Sequence, residues 1–178
     1  DGFESGNFSA WSLVQTGADG SATVQNSVVK SGLYAARLSE TSTSGSKADV
    51  RKSLAASQTN LTVSGDFQIA VEGISGGNVP LFRLFDSAGT RLMSLYRQNL
   101  SGNQIWVGVG SNRYSTTGLL PLNTWGHFDL HVITAGTGAS TIEVWLNGTL
   151  IYQTTTASLG SSGVLTLQIG NDTTSQAF

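Results

Sequence analysis

Both histidines of the chain fall in one stretch, Trp125 to Val132 (WGHFDLHV), with Asp129 between them. His-x-Asp-x-His brings together residue types that ligate metals or move protons. Whether they do so depends on the element that carries them. The stretch alternates apolar and polar residues, which is the pattern of a strand. On a strand, Phe128, Leu130 and Val132 take one face and His127, Asp129 and His131 the other. The α-carbons of His127 and His131 are then about 13 Å apart, at about 3.3 Å per residue. Zinc holds its nitrogens at about 2 Å, so the two histidines cannot share one ion. The expectation is a strand with a core face and a wet face that makes cross-strand polar contacts.

Other catalytic patterns are weak. A retaining glycosidase needs two carboxyl groups about 5–5.5 Å apart, and Glu143 on TIEVWLN (141–147) has no carboxylate two or four residues on. Cysteine is absent, which excludes thiolate metal sites, cysteine nucleophiles and disulfides. On these grounds the chain reads as non-catalytic.

The elements that must position any site are short strands. The 178 residues fit one domain with room for a core. Charged residues make up only 11%, Gly counts 22, and Ser and Thr are abundant, a composition suited to β structure with many turns. A net charge of -2 gives no basic field for nucleic acid. No apolar run approaches the roughly 20 residues that cross a bilayer, so membrane insertion is not expected. Low charge and the missing initial Met point to a secreted or cell-surface segment.

Period-two alternation predicts strands at 21–29, 32–39, 49–54, 66–74, 80–86, 91–98, 104–110, 126–134, 141–154 and 164–170. Asn147-Gly148 suits a type I′ hairpin turn, and DSAGTR (86–91) a tight hairpin loop. No window carries a helical stripe. The fold class expected is all-β: a two-sheet antiparallel sandwich of jelly-roll type, one domain over 1–178, with little or no helix.

The order of DGFESGNFSAW (1–11), SGLYAARL (31–38), PLNTWGHFDLHV (121–132) and IEVWLNGTLIY (142–152) resembles the concanavalin A-like, laminin G-like jelly-roll modules of extracellular bacterial proteins. The first two segments also resemble jelly-roll carbohydrate-binding modules. This resemblance implies a structural calcium ion, with Glu4 and the Ser31-Gly32 turn at matching positions and Asp1 as an extra ligand. It also implies a closing strand bearing Asp-Asp, which the sequence to Phe178 lacks, so the gap is expected to be filled by a partner chain, a swapped strand in a homo-oligomer, or rearranged termini. Alginate-lyase-like members carry Gln-Ile-His on one strand; here Gln104-Ile105 is followed by Trp106, where the proton-handling histidine would stand.

Sugar rings are held by flat aromatics flanked by groups that fork hydrogen bonds to hydroxyls. YRQNLSGNQIWVGVGSNRY (96–114) is the densest such mixture in the chain, and Tyr96, Arg97, Gln98, Asn99, Trp106, Asn112, Arg113 and Tyr114 are the candidate ligand-binding residues. Alternation leaves two placements open for Trp106: opposite Ile105 on an outward face, or in the core with Ile105 outside. The reading that follows is an extracellular module that binds a polysaccharide, glycan or other surface ligand. The alternative is a structural subunit of a surface or fibrous assembly, and a third is a polysaccharide lyase or glycosidase.

Overall fold

A computed structural model of the chain describes residues 1–74, 77–100, 102–173 and 177–178. Its strands, in chain order, are β1 (Leu13–Gly17), β2 (Ser21–Gln25), β3 (Ala35–Ser39), β4 (Lys47–Gln58), β5 (Asn60–Gln68), β6 (Asn78–Phe85) and β7 (Arg91–Gln98). They continue with β8 (Gln104–Val109), β9 (Asn112–Leu119), β10 (Trp125–Ile133), β11 (Ser140–Leu146), β12 (Thr149–Ala157) and β13 (Val164–Asn171). The described residues contain no helix. A seven-stranded sheet in the order β1-β4-β13-β6-β7-β8-β9 packs on a four-stranded sheet, β12-β11-β10-β5, and β2-β3 forms a separate ribbon. Every pairing between these strands is antiparallel. The fold is the expected all-β sandwich.

Alternation builds the core. Phe128, Leu130 and Val132 of β10, with Ile142 and Val144 of β11, meet Phe82, Leu84, Leu95, Ile105 and Val107 from the larger sheet, each at most 1% exposed. Burying side chains of this size contributes about 1.5–3 kcal/mol each. Phe67 links the sheets by an edge-on contact with Phe82, 4.9 Å between ring centres, and packs edge-on against Phe128 of its own sheet at 6.0 Å.

The turns follow their residues. Asn147 and Gly148 both have positive φ, 51° and 77°, as a type I′ turn requires, and Asn147 Oδ1 accepts the His127 N–H at 2.9 Å. Asp86 Oδ1 closes the next hairpin by accepting from the N–H groups of Ala88 and Thr90.

Three expectations need correction. The described residues form thirteen strands rather than ten; two of the additional ones, β1 and β9, expose most of both faces and so show no apolar alternation. The predicted 141–154 strand is two strands meeting at Asn147-Gly148. The strand expected at 66–74 runs from Asn60 to Gln68 instead. Gly65, which reads as a break, sits inside it because a Cβ there would lie 3.2 and 3.3 Å from the rings of Phe67 and Phe82.

Candidate functional site

The outer face of the seven-stranded sheet, turned away from the core, carries the polar constellation of this protein. Register places Arg51 (β4), Gln168 (β13), Arg83 (β6), Ser94 (β7), Gly108 (β8) and Arg113 (β9) directly beside one another, one row across six strands. Neighbouring strands are about 4.8 Å apart. The three arginines therefore stand at intervals of about 10 and 14 Å. The next row runs Pro80, Tyr96, Trp106, Ser115.

An outward sheet face is ordinarily wet, yet much of this one is buried. Arg83 is 6% exposed, Tyr96 4%, and Gln168 and Asp49 0%. Buried charge must be paired. Asp172 bridges Arg51, at 2.9 Å, and Arg83, while Asp49 accepts from Arg51 Nε at 2.8 Å. Arg51 also lies over the Phe85 ring, 5.4 Å from its centre. Burial raises the Asp49 carboxyl above the usual carboxylate range, against the opposing pull of Arg51. Burial likewise raises the Tyr96 phenol, with Arg113 offsetting part of the effect. Arg83 Nε, Gln168 Oε1 and Trp106 Nε1, all on this face, are buried and have no hydrogen-bond partner among the described residues. Buried polar atoms are normally satisfied, so three orphans on one outward face mark it as unusual.

A groove on this face is lined by Arg83, Arg91, Ser94, Tyr96 and Arg113, with Asn78 at one end. Three of the chain's nine basic residues meet here, and no carboxylate belongs to the lining. Gly108 forms part of the floor, where a Cβ would press to 3.4 Å from Arg113 Nη1.

The structure divides the residues that sequence singled out. Tyr96, Trp106 and Arg113 share the outer face, and Ile105 is in the core at 0% exposure, which decides between the two placements of Trp106. Gln98 is half-buried at the end of β7, opposite Asn78. Arg97 and Asn99 are fully buried away from the groove. There Arg97 donates to the Leu120 carbonyl at 2.7 Å and to Glu72 and Asn103, tying together the loops around β7. Asn112 and Tyr114 lie across the β8–β9 hairpin, with Tyr114 opposite Val107 on the inward side of β9. Sequence reasoning missed Arg83, Arg91, Arg51 and Gln168, which lie on four strands, β6, β7, β4 and β13. The available signal was the polar type of Arg83 between two core residues, Phe82 and Leu84.

The histidines make cross-strand contacts on the outer face of the smaller sheet. His127 Nδ1 lies 3.2 Å from Asp66, and His131 bridges Glu143 at 2.8 Å and Asn60 at 2.9 Å. Among the described residues no three His, Asp or Glu side chains are grouped to hold a metal. At the N-terminus, Glu4 accepts from the N–H groups of Leu33 and Tyr34, just past the Ser31-Gly32 turn, and a Cβ on Gly32 would lie 2.4 Å from its Oε1. Asp1 accepts from the Phe3 N–H and from Trp11 Nε1. A calcium ion there would have to draw on carboxylate oxygens that already accept N–H bonds.

No family model matches the chain, and no curated protein matches it. Solved structures do share its frame. An endo-β-1,4-glucuronan lyase from the fungus Trichoderma reesei matches with a TM-score of 0.76 and 14% identity, over 97% of this chain and 82% of that one. The cellulose-induced protein Cip1 matches with a TM-score of 0.69 and 15% identity, over 95% of this chain and 86% of that one. The alginate lyase Aly36B gives a TM-score of 0.54 and 10% identity, over 78% and 72%. These likenesses support the jelly-roll architecture. They also correct the expectation of a non-catalytic chain, because two of the three are polysaccharide lyases. That expectation leaned on motifs within single strands, whereas this groove is assembled from side chains on different strands.

Proposed function

We propose that the protein is carbohydrate-active and binds an acidic polysaccharide along the outer face of its seven-stranded sheet. The observation that carries this reading is the groove in which the exposed Arg91 and Arg113 stand with no carboxylate in the lining, beside Arg83, whose charge Asp172 already pairs, in a chain whose net charge is -2. Guanidinium groups bind carboxylates or sulfates through paired, charge-assisted hydrogen bonds. Their spacing across the strands suits a ligand that bears charge at intervals, as a polymer does. Trp106, half-buried beside the charges, offers ring surface for sugar C–H faces. The likeness to lyases named for glucuronan and alginate supports a sugar polymer as the ligand, and the resemblance to concanavalin A-like modules fits a secreted or surface location.

A second reading, eliminative cleavage of that polymer, is favoured by Tyr96. Elimination beside a uronate carboxylate needs cations to hold the carboxylate as the neighbouring ring carbon loses its proton, and an acid to protonate the departing glycosidic oxygen. Arg91 and Arg113, both exposed in the groove lining, fit the first role. The Tyr96 phenol, which burial keeps protonated, fits the second, and its oxygen takes the ring-carbon proton as its own passes to the glycosidic oxygen, which restores the phenol.

The experiment is to incubate the protein with polyglucuronate and alginate, measuring binding by calorimetry and cleavage by the ultraviolet absorbance of unsaturated uronate ends. Binding that weakens in Arg113→Gln is the expected result. Tyr96→Phe is expected to abolish any cleavage while retaining binding. Failure of both polymers and of sulfated glycans to bind would overturn the first reading; cleavage unchanged in Tyr96→Phe would overturn the second.

A further inference from the structure

Arg113 and Tyr114 are adjacent on β9 and therefore face opposite ways. Arg113 pairs with Gly108 on the groove side, and Tyr114 pairs with Val107 on the side of the sandwich interior. β9 and β12 are edge strands of their respective sheets and touch one another, and Tyr114 meets Tyr152 of β12 across the gap, 6.0 Å between ring centres at a tilt of 40°. Beyond this pair the sandwich opens into a crevice of about 290 Å³, close to the lower end of the range for small-molecule sites.

Its lining has a consistent chemistry. Val109 supplies apolar floor, Tyr114 and Tyr152 supply ring faces, and Asn112, Thr154 and Thr156 supply hydrogen-bonding groups. The two threonine hydroxyls lie 3.2 Å apart, a spacing suited to a pair of neighbouring sugar hydroxyls. Tyr114 keeps 41% of its surface exposed despite the tyrosine contact. No charged residue or histidine belongs to the lining. This is the opposite selection from the groove on the other face of β9.

We infer that the Tyr114–Tyr152 crevice is a second carbohydrate site, taking an uncharged pyranose unit such as the end or branch of a neutral glycan. The rings stack on its C–H face, while the Thr154 and Thr156 hydroxyls and the Asn112 amide bind its hydroxyl groups. The absence of charge in the lining disfavours a uronate, whose carboxylate would lose its hydration without a cation in return. Gly110 belongs to the rims of both sites, so one branched glycan could reach them together, but this site does not depend on the acidic-polymer reading of the groove.

The test is a titration of the isotope-labelled protein with neutral hexasaccharides of β-1,4-glucan, β-1,4-mannan, β-1,4-xylan and α-1,4-glucan, followed by amide NMR. At least one is expected to shift the amides of Ser111, Asn112 and Ala157. Tyr114→Ala is expected to weaken that binding about tenfold, which corresponds to about 1.4 kcal/mol, and Thr154→Val several-fold, with amide signals elsewhere unchanged. High salt and Arg91→Gln are expected to leave it unaltered. Loss of acidic-polymer binding in the groove would not touch this result. The inference fails if no hexasaccharide shifts the crevice amides at millimolar concentration, or if binding survives Tyr114→Ala and Thr154→Val alike.

Discussion

Tyr96 and Trp106 stand directly opposite one another on β7 and β8, both on the outer face of the seven-stranded sheet. Tyr96 is nearly buried and the Trp106 indole N–H lacks a partner. An indole so placed reports on what enters the face beside it. Acidic polysaccharide is expected to change the protein's tryptophan fluorescence, and Trp106→Phe to abolish the change. A response that persists in this variant would locate the ligand near another tryptophan.

Arg97 holds structure and is expected to act through stability. Its guanidinium is fully buried, with Glu72, Leu120 and Asn103 as partners. Arg97→Ala leaves Glu72 facing a cavity without its cation, and removing one member of a buried pair costs about 3–5 kcal/mol. Urea denaturation is expected to show a loss of that order. A loss below about 1 kcal/mol would mean that water reaches Glu72 easily.

Asp49 gives the protein a pH dependence of definite sign. Its folded-state pKa is raised, with burial as the largest cause, so the folded chain binds a proton more readily there than the unfolded chain does. The stabilising effect of that proton is lost as pH rises from the ordinary carboxylate value through the raised one. Relative to Asp49→Asn, the wild type is therefore expected to lose stability over this interval. Denaturation curves of the two proteins from pH 4 to 7 measure it; a difference that does not vary with pH, or that varies in the opposite sense, would contradict the assignment.

Calcium at the N-terminal turn is a separate proposal. If Glu4, Asp1 and the carbonyls of the Ser31-Gly32 turn hold calcium, adding it raises Tm, a chelator reverses the rise, and Glu4→Gln removes the response. Equal melting temperatures with calcium and with chelator would dismiss the ion.

The division between what was legible in the sequence and what was not has a physical basis. Strands such as β10 and β11, which bury one face, print their geometry as alternation, so the placement of His127, Asp129 and His131 could be read directly. Asn147-Gly148 named its own turn. β9, with residues NRYSTTGL at a sheet edge, has no such imprint. Its loss from the sequence reading merged Arg113 and Tyr114 into one patch, although they serve opposite faces. The row from Arg51 to Arg113 was invisible for another reason: it exists only in the register between β4, β13, β6, β7, β8 and β9, which is set by the long-range pairings of β13 with β4 and β6 and by hairpins whose register shifts at bulges. Arg97 and Asn99 show the converse error, since polar residues dense in sequence proved to be buried ties between loops.

The central claim is that Arg91 and Arg113 hold the charges of an acidic polymer on the outer face. Its most direct test is calorimetric titration of polyglucuronate into the wild type and into Arg91→Gln/Arg113→Gln across a series of salt concentrations. Charge-assisted hydrogen bonds contribute about 1.5–3 kcal/mol each, so the double variant is expected to bind at least tenfold more weakly. Wild-type affinity is expected to fall steadily with added salt, and the variant's to fall less. Equal affinity in the two proteins, or binding indifferent to salt, would contradict the claim.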